Sequence, residues 1–517
     1  MVLELTGSRV LAPYLGTSIV VWTSLIGVVL GALSLGYWWG GRLADRRPEP
    51  KLLSRLILLA AVATLAMAGT KGLLLTFLTN RTAWGLSELA LPMAGTTLAA
   101  TLVLFGPASV LLGMVSPFAV RLRMESAASS GRTAGNLYAL STLGSITGTF
   151  AAGFWLTATL GTTNIILCMA GVLVLASACV FRGDGLAKLA ALVLVGLTAA
   201  GLFVCDEQFR RIGLFDLDTD YQRVLVFNSL EDGSNRQLRV MTTGPEGMQS
   251  GMFVGAPRAL AVPYTRFYRL AAHFRPDLRP GLGRMLMLGG GGYSFPKYVL
   301  SHAQEFGGQP RMDVVEIDPG VTAIARDYFD WQGHPDVSVR HEDARRFLNK
   351  AQAARKANPT THEPYQVALV DVFTSHYSVP FHLATRETVQ SLANLLDANG
   401  VVLVNCISAA EGPRSKFYRA LLATYKSVFP HVESFLVLKP DDPTEFQNIL
   451  LVAFKAPAAP VLTSSDTSLQ AMLDARYTPA PARPKGSLPE QTEQTGQTGP
   501  PVLTDDFAPV DHYLLSL

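Results

Sequence analysis

The sequence predicts a multi-pass α-helical membrane domain, then a small antiparallel β subdomain and an α/β domain. Three observations support this. Long apolar runs recur before residue 205, short β-rich runs follow residue 221, and from residue 284 apolar strands alternate with helices. Such alternation favours an open, mostly parallel sheet. The predicted domains are a helical bundle at 1–205, a β subdomain at 206–265, the α/β domain at 266–456, and a Pro/Gln/Thr-rich linker with a C-terminal tail at 457–517.

The membrane domain is predicted from apolar runs of about 18 to 28 residues, the length that crosses a bilayer. Composition agrees with it, because 49% of the chain is hydrophobic and only 16% is charged. We expect a cell-membrane (inner-membrane) protein with the lipid bilayer as a partner. Six spans and a short additional helix at 1–16 are predicted, the spans being 18–42, 52–74, 93–120, 133–159, 163–181 and 186–204.

The loop after the first long span contains "GRLADRR", Gly41 to Arg47, which resembles the loop motif of major facilitator transporters. In those proteins small residues allow helices to approach closely and charges lock the helix ends. A basic cytoplasmic loop is the alternative explanation. The same charge bias assigns the loops around 42–55, 121–132 and 182–188 to the cytoplasm, so residues beyond 205 lie outside the cell if 186–204 crosses fully.

Composition also excludes several functions. A net charge of +3 without a basic stripe argues against a nucleic-acid partner. The four cysteines have no C-x-x-C or metal-ligand spacing, and no histidine pairs with an acid or a cysteine at such a spacing. We therefore predict reduced cysteines and no metal.

The candidate ligand site follows the predicted strands of the α/β domain. Four glycines, Gly289, Gly290, Gly291 and Gly292, end the strand "RMLML" and open a helix, where backbone amides can approach a nucleotide-like ligand. The next strand ends in Glu316, 27 residues after Gly289, and a carboxylate there can accept both hydroxyls of a ribose. The third strand ends in Asp343, which can accept from the exocyclic amine of adenine. The pattern favours nucleoside binding over a purely structural sheet.

Residues 221–455 resemble the spermidine synthase (polyamine aminopropyltransferase) family within the class I methyltransferase-type, Rossmann-like fold. The resemblance is carried in order by "DYQRVLVF", "GMQSGMF", "PYTRFYRLAAHF", "VVEIDPGVTAIARDYF", the "ED" of "HEDARRFL", "YQVALVDVF" and "VLTDDFAPVDHYL". The whole chain resembles bacterial membrane proteins in which such a domain is fused to a half-transporter-like bundle.

The resemblance implies roles for particular residues. Gln222 and Gln249 would help to hold the donor, Glu316 the ribose and Asp343 the adenine, with Asp318 and Ala344 beside these two acids. Asp371 would lie at the reaction centre, and Tyr264 or Tyr268 would line the acceptor channel. The implied donor is decarboxylated S-adenosylmethionine or S-adenosylmethionine itself, and the acceptor is a polyamine or another small amine. A homodimer is also implied.

Two departures from the family pattern affect the chemistry. The family loop G-G-G-D-G-G has an Asp for the amine of the donor, and here Gly292 stands in that place, followed by Tyr293 and Ser294. The family's catalytic D-x-x-D becomes Asp371 to Thr374, and a threonine hydroxyl is no base near neutral pH. Replacement acids could come from Asp505 and Asp506, unless the tail that carries them is simply solvated.

Three functions therefore stay open: an aminopropyl transferase, an S-adenosylmethionine-dependent methyltransferase, and a transporter-like protein whose nucleoside-binding domain is catalytically dead. The side of the membrane on which the α/β domain lies affects all three. Because S-adenosylmethionine is made in the cytoplasm, we expect a cytoplasmic α/β domain, with 186–204 re-entrant or packed along the bundle. The loop charges argue for the opposite side.

Overall fold

The computed structural model of the protein describes residues 1–16, 18–79, 93–124, 130–231, 233–244, 247–278, 283–358, 363–373, 379–479 and 500–515. The chain divides into two compact units. The first comprises Met1–Leu225 and Thr243–Pro245, and the second comprises Val226–Thr242 and Glu246–Leu517.

The first unit consists mainly of long apolar helices. Five of its helices, α2, α3, α4, α6 and α7, are long and apolar enough to cross a membrane by length and composition. The predicted helical membrane domain is thereby confirmed as a fold class, although the predicted span at 133–159 corresponds to a less apolar helix that passes into a π-helical turn at Ala152–Leu156. The helices are α1 (Val2–Leu15), α2 (Ile19–Arg46), α3 (Pro50–Thr79), α4 (Met93–Arg123), α5 (Ser130–Ala151), α6 (Thr157–Val180) and α7 (Gly185–Arg211).

Small residues bring α2 and α4 into close contact. A Cβ added at Gly36 would lie 2.2 Å from the carbonyl oxygen of Val110 on α4, so the two backbones touch there. Asp45, near the end of α2, pairs with Arg121 on α4 at 3.3 Å. Asp45 belongs to the "GRLADRR" run, whereas Gly36 precedes it; at Gly41, the glycine of the run, an added Cβ would make only ordinary contact, 3.9 Å from Pro117.

Helix α7 runs through the first unit without a break. Its 27 residues give a length of about 40 Å. Asp184, its N-cap, pairs with Lys51 and Arg55 near the start of α3. Beyond its other end, the Asp218 carboxylate accepts from the Thr162 amide at 3.0 Å, next to a break in α6 at Gly161. Residues 186–204 thus form one continuous helix that is long enough to cross a membrane.

A four-stranded sheet follows the helices. Its strand order is β1-β2-β3-β4, and the boundary between the two units falls within β2. Its strands are β1 (Phe215–Asp218), β2 (Arg223–Leu230), β3 (Gln237–Thr242) and β4 (Ser250–Phe253), with β3 and β4 antiparallel. These strands cover the β-rich runs that the sequence predicts.

The second unit contains a mixed eight-stranded sheet with the order β12-β10-β11-β9-β8-β5-β6-β7. The five strands from β9 to β7 in this order are mutually parallel, and β11, β10 and β12 extend the sheet antiparallel beyond β9. Buried apolar side chains form two clusters that draw on both faces of these strands. This arrangement confirms the predicted Rossmann-like, methyltransferase-type fold. The strands are β5 (Arg284–Leu288), β6 (Arg311–Val315), β7 (Val337–Arg340), β8 (Tyr365–Val370), β9 (Leu396–Ser408), β10 (His431–Leu436), β11 (Gln447–Phe454) and β12 (Arg476–Tyr477).

Helices connect and cover these strands. Alternation of β5 to β9 with α10 to α13 is the pattern that the sequence predicts for a parallel sheet. The helices are α8 (Pro263–Phe267), α9 (Leu270–Phe274), α10 (Ser294–Ser301), α11 (Pro319–Tyr328), α12 (Ala344–Ala357), α13 (Arg386–Leu395), α14 (Lys416–Lys426), α15 (Thr467–Asp474) and α16 (Val510–Leu515).

The C-terminal region contributes more structure than a linker and a tail. Residues 467–477 form α15 and β12, and β12 joins the edge of the large sheet beside β10. The last described segment, 500–515, buries Leu503, Val510 and Leu514 in one of the two apolar clusters. Of the two alternatives for the tail, the structure therefore has the docked one. Most of the predicted linker, 480–499, lies outside the described residues.

Candidate functional site

The candidate site lies where the strand order of the large sheet reverses. From β5 the chain adds β6 and β7 on one side, and β8 and β9 on the other. Open α/β sheets bind their ligands outside the carboxyl ends of the strands at such a point. Gly289, Glu316 and Asp371 are the residues that immediately follow β5, β6 and β8. The topology thus brings these three predicted site residues together at one edge.

The glycine loop is shaped by close backbone contacts. Gly289 has φ +91°, and a Cβ there would lie 2.1 Å from the carbonyl oxygen of Asp371. Gly291 has φ +49°, and its Cβ would lie 2.6 Å from Oγ of Ser250. The same hydroxyl accepts from the Gly292 amide at 2.9 Å. A larger residue at Gly289 or Gly291 would therefore need the chain to move.

Glu316 holds the glycine loop against the second strand. It is 8% exposed, and its Oε2 accepts from the amides of Gly290 at 2.8 Å and Gly291 at 3.4 Å. Its Oε1 accepts from the Asp318 amide at 3.0 Å. Burial raises the pKa of Glu316, and these hydrogen bonds oppose the shift. Oε1 accepts only one of these bonds and keeps a further lone pair, so the group can still accept from a ribose hydroxyl.

The two neighbouring acids cap helices. Asp318 is fully buried and accepts from the Gly320 amide at 2.8 Å at the start of α11. Asp343 accepts from the Arg346 amide at 2.9 Å at the start of α12, and its other oxygen lies 3.2 Å from Nε2 of His382. Ala344 is buried as the first residue of α12. Asp318 thus has a structural role here, whereas the partly exposed Asp343 carboxylate stays available to a ligand.

Asp371 is the centre of a polar network. Its Oδ2 accepts from the Tyr264 hydroxyl at 3.0 Å, and its Oδ1 accepts from Nδ2 of Asn405 at 2.9 Å. Asn405 is held in turn by Nδ2 of Asn448 at 2.9 Å. Enclosure of the carboxylate by protein raises the pKa of Asp371, and the hydrogen bonds from Asn405 and Tyr264 oppose that shift. A carboxylate in this setting is a better proton acceptor than one in water.

Two further polar atoms are buried close to this network. Tyr268 is fully buried and packs edge-to-face on Tyr264, with ring centroids 5.7 Å apart. Burial, and then the charge of Asp371, raises the pKa of both tyrosines. Gln249 accepts from the Tyr264 hydroxyl through its backbone carbonyl at 3.4 Å. Among the described residues, the Tyr268 hydroxyl and Oε1 of Gln249 have no hydrogen-bond partner. Unpaired buried polar atoms beside a carboxylate are suited to a polar ligand with several donors.

Gly292, which stands where the related sequences have an Asp, is closely packed against Ser250 and Phe329. A Cβ at Gly292 would lie 3.1 Å from Cβ of Ser250 and 3.2 Å from the ring of Phe329. The next residue, Tyr293, has φ +53° and points into the core, where its ring stacks on Trp331 at 4.7 Å. This packing leaves little room for a carboxylate at position 292.

Two of the predicted residues, Gln222 and Thr374, are not part of the contacts described above. Gln222 belongs to the first unit, where its backbone carbonyl accepts from the Thr219 amide at 2.8 Å. Thr374 falls in 374–378, outside the described residues. Sequence reasoning missed Ser250, Asn405 and Asn448. The asparagines left a signal, since each is a polar residue inside an apolar strand, β9 or β11.

A resident metal has no evident ligand set. In the part of the chain that the structure describes, no group of three His, Cys, Asp or Glu side chains could hold an ion. The fold and site define a methyltransferase-type α/β domain with strand-end acids at its switch point.

Solved structures of known proteins are similar to parts of this chain. No protein-family model matches the chain. A probable spermidine synthase from Corynebacterium glutamicum is similar in structure with 22% identity and a TM-score of 0.37, covering 50% of this chain and 84% of that one. Human methyltransferase-like protein 13, solved with SAH, has 20% identity and a TM-score of 0.33, covering 41% and 90%.

A curated relative gives the stronger match. The polyamine aminopropyltransferase of Vibrio vulnificus is 34% identical over 175 residues, which make up 34% of this chain and 52% of the relative. The chain therefore spans about half the length of the curated relative it matches. This match confirms the predicted resemblance: over these 175 residues the chain is similar to a polyamine aminopropyltransferase.

Proposed function

We propose that the protein is a membrane-bound transferase that moves an aminopropyl group from decarboxylated S-adenosylmethionine to a polyamine or a related small amine. The observation that carries the proposal is the Asp371 network at the switch point. Tyr264 donates to Asp371 and contacts both Tyr268 and the Gln249 backbone, and these two residues each carry a buried, unpaired oxygen. One strand, β5, separates the strand of Asp371 from that of the candidate ribose acid Glu316.

The acceptor site is suited to an ammonium group. An ammonium carries three donors and no acceptor, and the Asp371 carboxylate, Oε1 of Gln249 and the Tyr268 oxygen supply three acceptors. Neutral tyrosines fit this role, because their raised pKa values keep both hydroxyls protonated and able to reorient. The site is therefore polar without needing a second acid.

The reaction follows from this arrangement. Asp371 takes a proton from the bound ammonium, which frees the lone pair on nitrogen. The nitrogen then attacks the aminopropyl carbon beside the sulfonium, the new C–N bond forms as the C–S bond breaks, and methylthioadenosine leaves. The raised pKa of Asp371 favours the proton transfer, since it brings the carboxyl closer to the pKa of an amine. Positioning supplies most of the remaining effect.

The donor would lie across the strand ends. Glu316 would accept from the ribose hydroxyls, Asp343 would accept from the adenine amine, and the amides of the glycine loop would face the nucleoside. Gly292 offers no acid to the amine of the donor. That departure is the observation that favours a second candidate, methyl transfer from S-adenosylmethionine with the same fold and the same nucleoside site.

The proposal also requires the second unit to face the cytoplasm, where the donor is made. The charges of the loops around 42–55, 121–132 and 182–188 favour the opposite side under the positive-inside tendency. Donor supply is a requirement of the chemistry, whereas the charge bias is statistical. The side is therefore a direct test of the function.

One experiment separates the candidates. The full chain, purified in detergent, is incubated with either donor and a panel of small amines, with Asp371→Asn as the matched inactive variant. Methylthioadenosine from decarboxylated S-adenosylmethionine supports aminopropyl transfer, and S-adenosylhomocysteine from S-adenosylmethionine supports methyl transfer. If neither product forms above the Asp371→Asn background, the domain is catalytically dead and the proposal falls.

A further inference from the structure

The docked C-terminal segment is held by specific hydrogen bonds as well as by its apolar side chains. The Leu503 amide donates to Oγ1 of Thr424 at 2.9 Å, and the Leu503 carbonyl accepts from the Arg386 amide at 2.8 Å. The Asp505 amide donates to Oε2 of Glu387 at 3.0 Å. These contacts fix the segment on the start of α13 and the last turn of α14 in one register.

Asp505 connects this segment to the start of α12. Its Oδ2 accepts from Nη2 of Arg345 at 2.8 Å, and its Oδ1 accepts from Oγ1 of Thr385 at 2.7 Å. The Arg345 side chain is only 19% exposed, so the ion pair is partly shielded from water. Asp506, which is next to Asp505 and also exposed, takes part in neither bond.

Arg345 passes this contact on to residues 382–388. Its Nη1 donates to the His382 carbonyl at 3.3 Å, to Oγ1 of Thr385 at 3.1 Å and to Oγ1 of Thr388. One guanidinium therefore donates to three groups in residues 382–388, at the start of α13, and to the carboxylate of Asp505 in the tail. A planar guanidinium can hold several acceptors in a fixed arrangement, which makes it an effective hub.

The turn that Arg345 holds carries a side chain to the candidate adenine acid. Nε2 of His382 lies 3.2 Å from Oδ2 of Asp343, whose other oxygen caps α12. The tail carboxylate, Arg345, the His382 turn and Asp343 thus form one continuous chain of contacts. Its two ends, Asp343 and Asp505, are 162 residues apart in the sequence.

We infer that the C-terminal segment positions the Asp343 carboxylate for adenine recognition, with Asp505 acting through Arg345 and His382. The inference rests on the proposed function, because it assumes that Asp343 accepts from the exocyclic amine of the donor. Asp505 is then a positioning residue for donor selection rather than a replacement base. It gives the tail a defined role in a nucleoside site that is built from distant strands.

The test measures nucleoside binding to the full-length protein in detergent by calorimetry. Two probes are compared: 5′-methylthioadenosine, which has the exocyclic amine, and 5′-methylthioinosine, which has a carbonyl oxygen in its place. Asp505→Asn keeps the shape of the side chain and removes its charge. Asp506→Asn makes the same chemical change one residue along and is the matched control.

Asp505→Asn should weaken methylthioadenosine binding by about fivefold, the effect of loosening one hydrogen bond, and should leave methylthioinosine binding unchanged. Asp506→Asn should change neither. His382→Asn should give a similar selective loss, and the double variant with Asp505→Asn should lose no more than either single variant, because both act on one contact chain.

Two results would overturn the inference. Equal losses for both nucleosides would make the tail a general stabiliser of the fold, and equal behaviour of Asp505→Asn and Asp506→Asn would remove the contact chain from recognition. Failure of the nucleoside site on which the proposed function rests looks different, since the unaltered protein would then bind neither nucleoside, and failure of aminopropyl transfer alone appears in the product assay and leaves nucleoside binding in place.

Discussion

Glu316 allows a direct test of the proposed nucleoside site, provided that its structural role in holding the glycine loop is separated from its proposed role in binding ribose. Its carboxylate accepts two short hydrogen bonds, from Gly290 at 2.8 Å and Asp318 at 3.0 Å, and a longer one from Gly291 at 3.4 Å. Leaving a buried N–H unpaired costs about 1–3 kcal/mol. Glu316→Ala strands two well-bonded amides, so it should lower the free energy of unfolding by about 2–6 kcal/mol, less what is gained by no longer burying a charge.

Loss of binding in Glu316→Ala would therefore mix a collapsed loop with lost ribose contacts. Glu316→Gln is the better variant, because the amide keeps one carbonyl oxygen for either Gly290 or Asp318 and is close to isosteric. The ligand supplies the second change: 5′-methylthioadenosine is compared with its 2′,3′-dideoxy analogue. A thermodynamic cycle over protein and ligand then isolates the contact between Glu316 and the ribose hydroxyls.

Removing the hydroxyls should weaken binding to the unaltered protein by about 1–3 kcal/mol, or about 5- to 150-fold in Kd, because the carboxylate loses its partners. In Glu316→Gln the same removal should cost at least about fivefold less. Calorimetry on the full chain measures all four affinities, and thermal unfolding of each variant checks the fold. An equal penalty in both proteins would refute the ribose assignment, even if the variant bound more weakly overall.

Three further predictions concern chemistry, backbone and topology. Asp371→Asn should reduce turnover by about 10²- to 10⁴-fold with little change in donor Kd. It should also unfold at a higher temperature than the unaltered protein at pH 7, because the variant no longer encloses a charged carboxylate. Since the folded protein raises the pKa of Asp371, the protonated carboxyl stabilises the fold below the ordinary pKa of an aspartate, and this stability is lost as the pH rises through the folded pKa. The variant should therefore lose its advantage below about pH 4. Equal losses of turnover and affinity would instead indicate a binding role. Gly289→Ala should destabilise the fold by more than about 2 kcal/mol, since it combines a positive φ with a clash against the Asp371 carbonyl. Gly333→Ala, with φ +76° and open space around it, should cost about 1–2 kcal/mol. Equal melting points for the two variants would contradict the close approach of Gly289 to the Asp371 backbone. A cysteine at Asn235, in a background without the four native cysteines, should be protected from an impermeant reagent in intact cells and should label after lysis; labelling in intact cells would remove the donor supply that the proposed function needs.

Much of the ligand site follows from the sequence by itself. Gly289, Glu316 and Asp371 could be placed at the strand ends because each follows a short apolar run within a regular alternation of strands and helices. The carboxyl ends of parallel strands meet at one edge, so the alternation alone brings these residues together. The apolar helices could be placed in the same way, from length and composition.

Other features depended on contacts that no local pattern encodes. Asn405 reaches Asp371 because β9 lies beside β8, and Asp505 reaches Arg345 across 160 residues because the tail packs on α13 and α14. The composition of the Pro/Gln/Thr-rich segment predicts a linker, but it does not show whether the tail beyond it packs against the α/β domain. Docking was decided by Leu503, Val510 and Leu514, which fill a core that other elements form. The sequence thus determined which residues stand at the strand ends, and the tertiary structure decided what holds them, because hydrogen-bond partners far apart in the chain meet only once the sheet and its helices have packed.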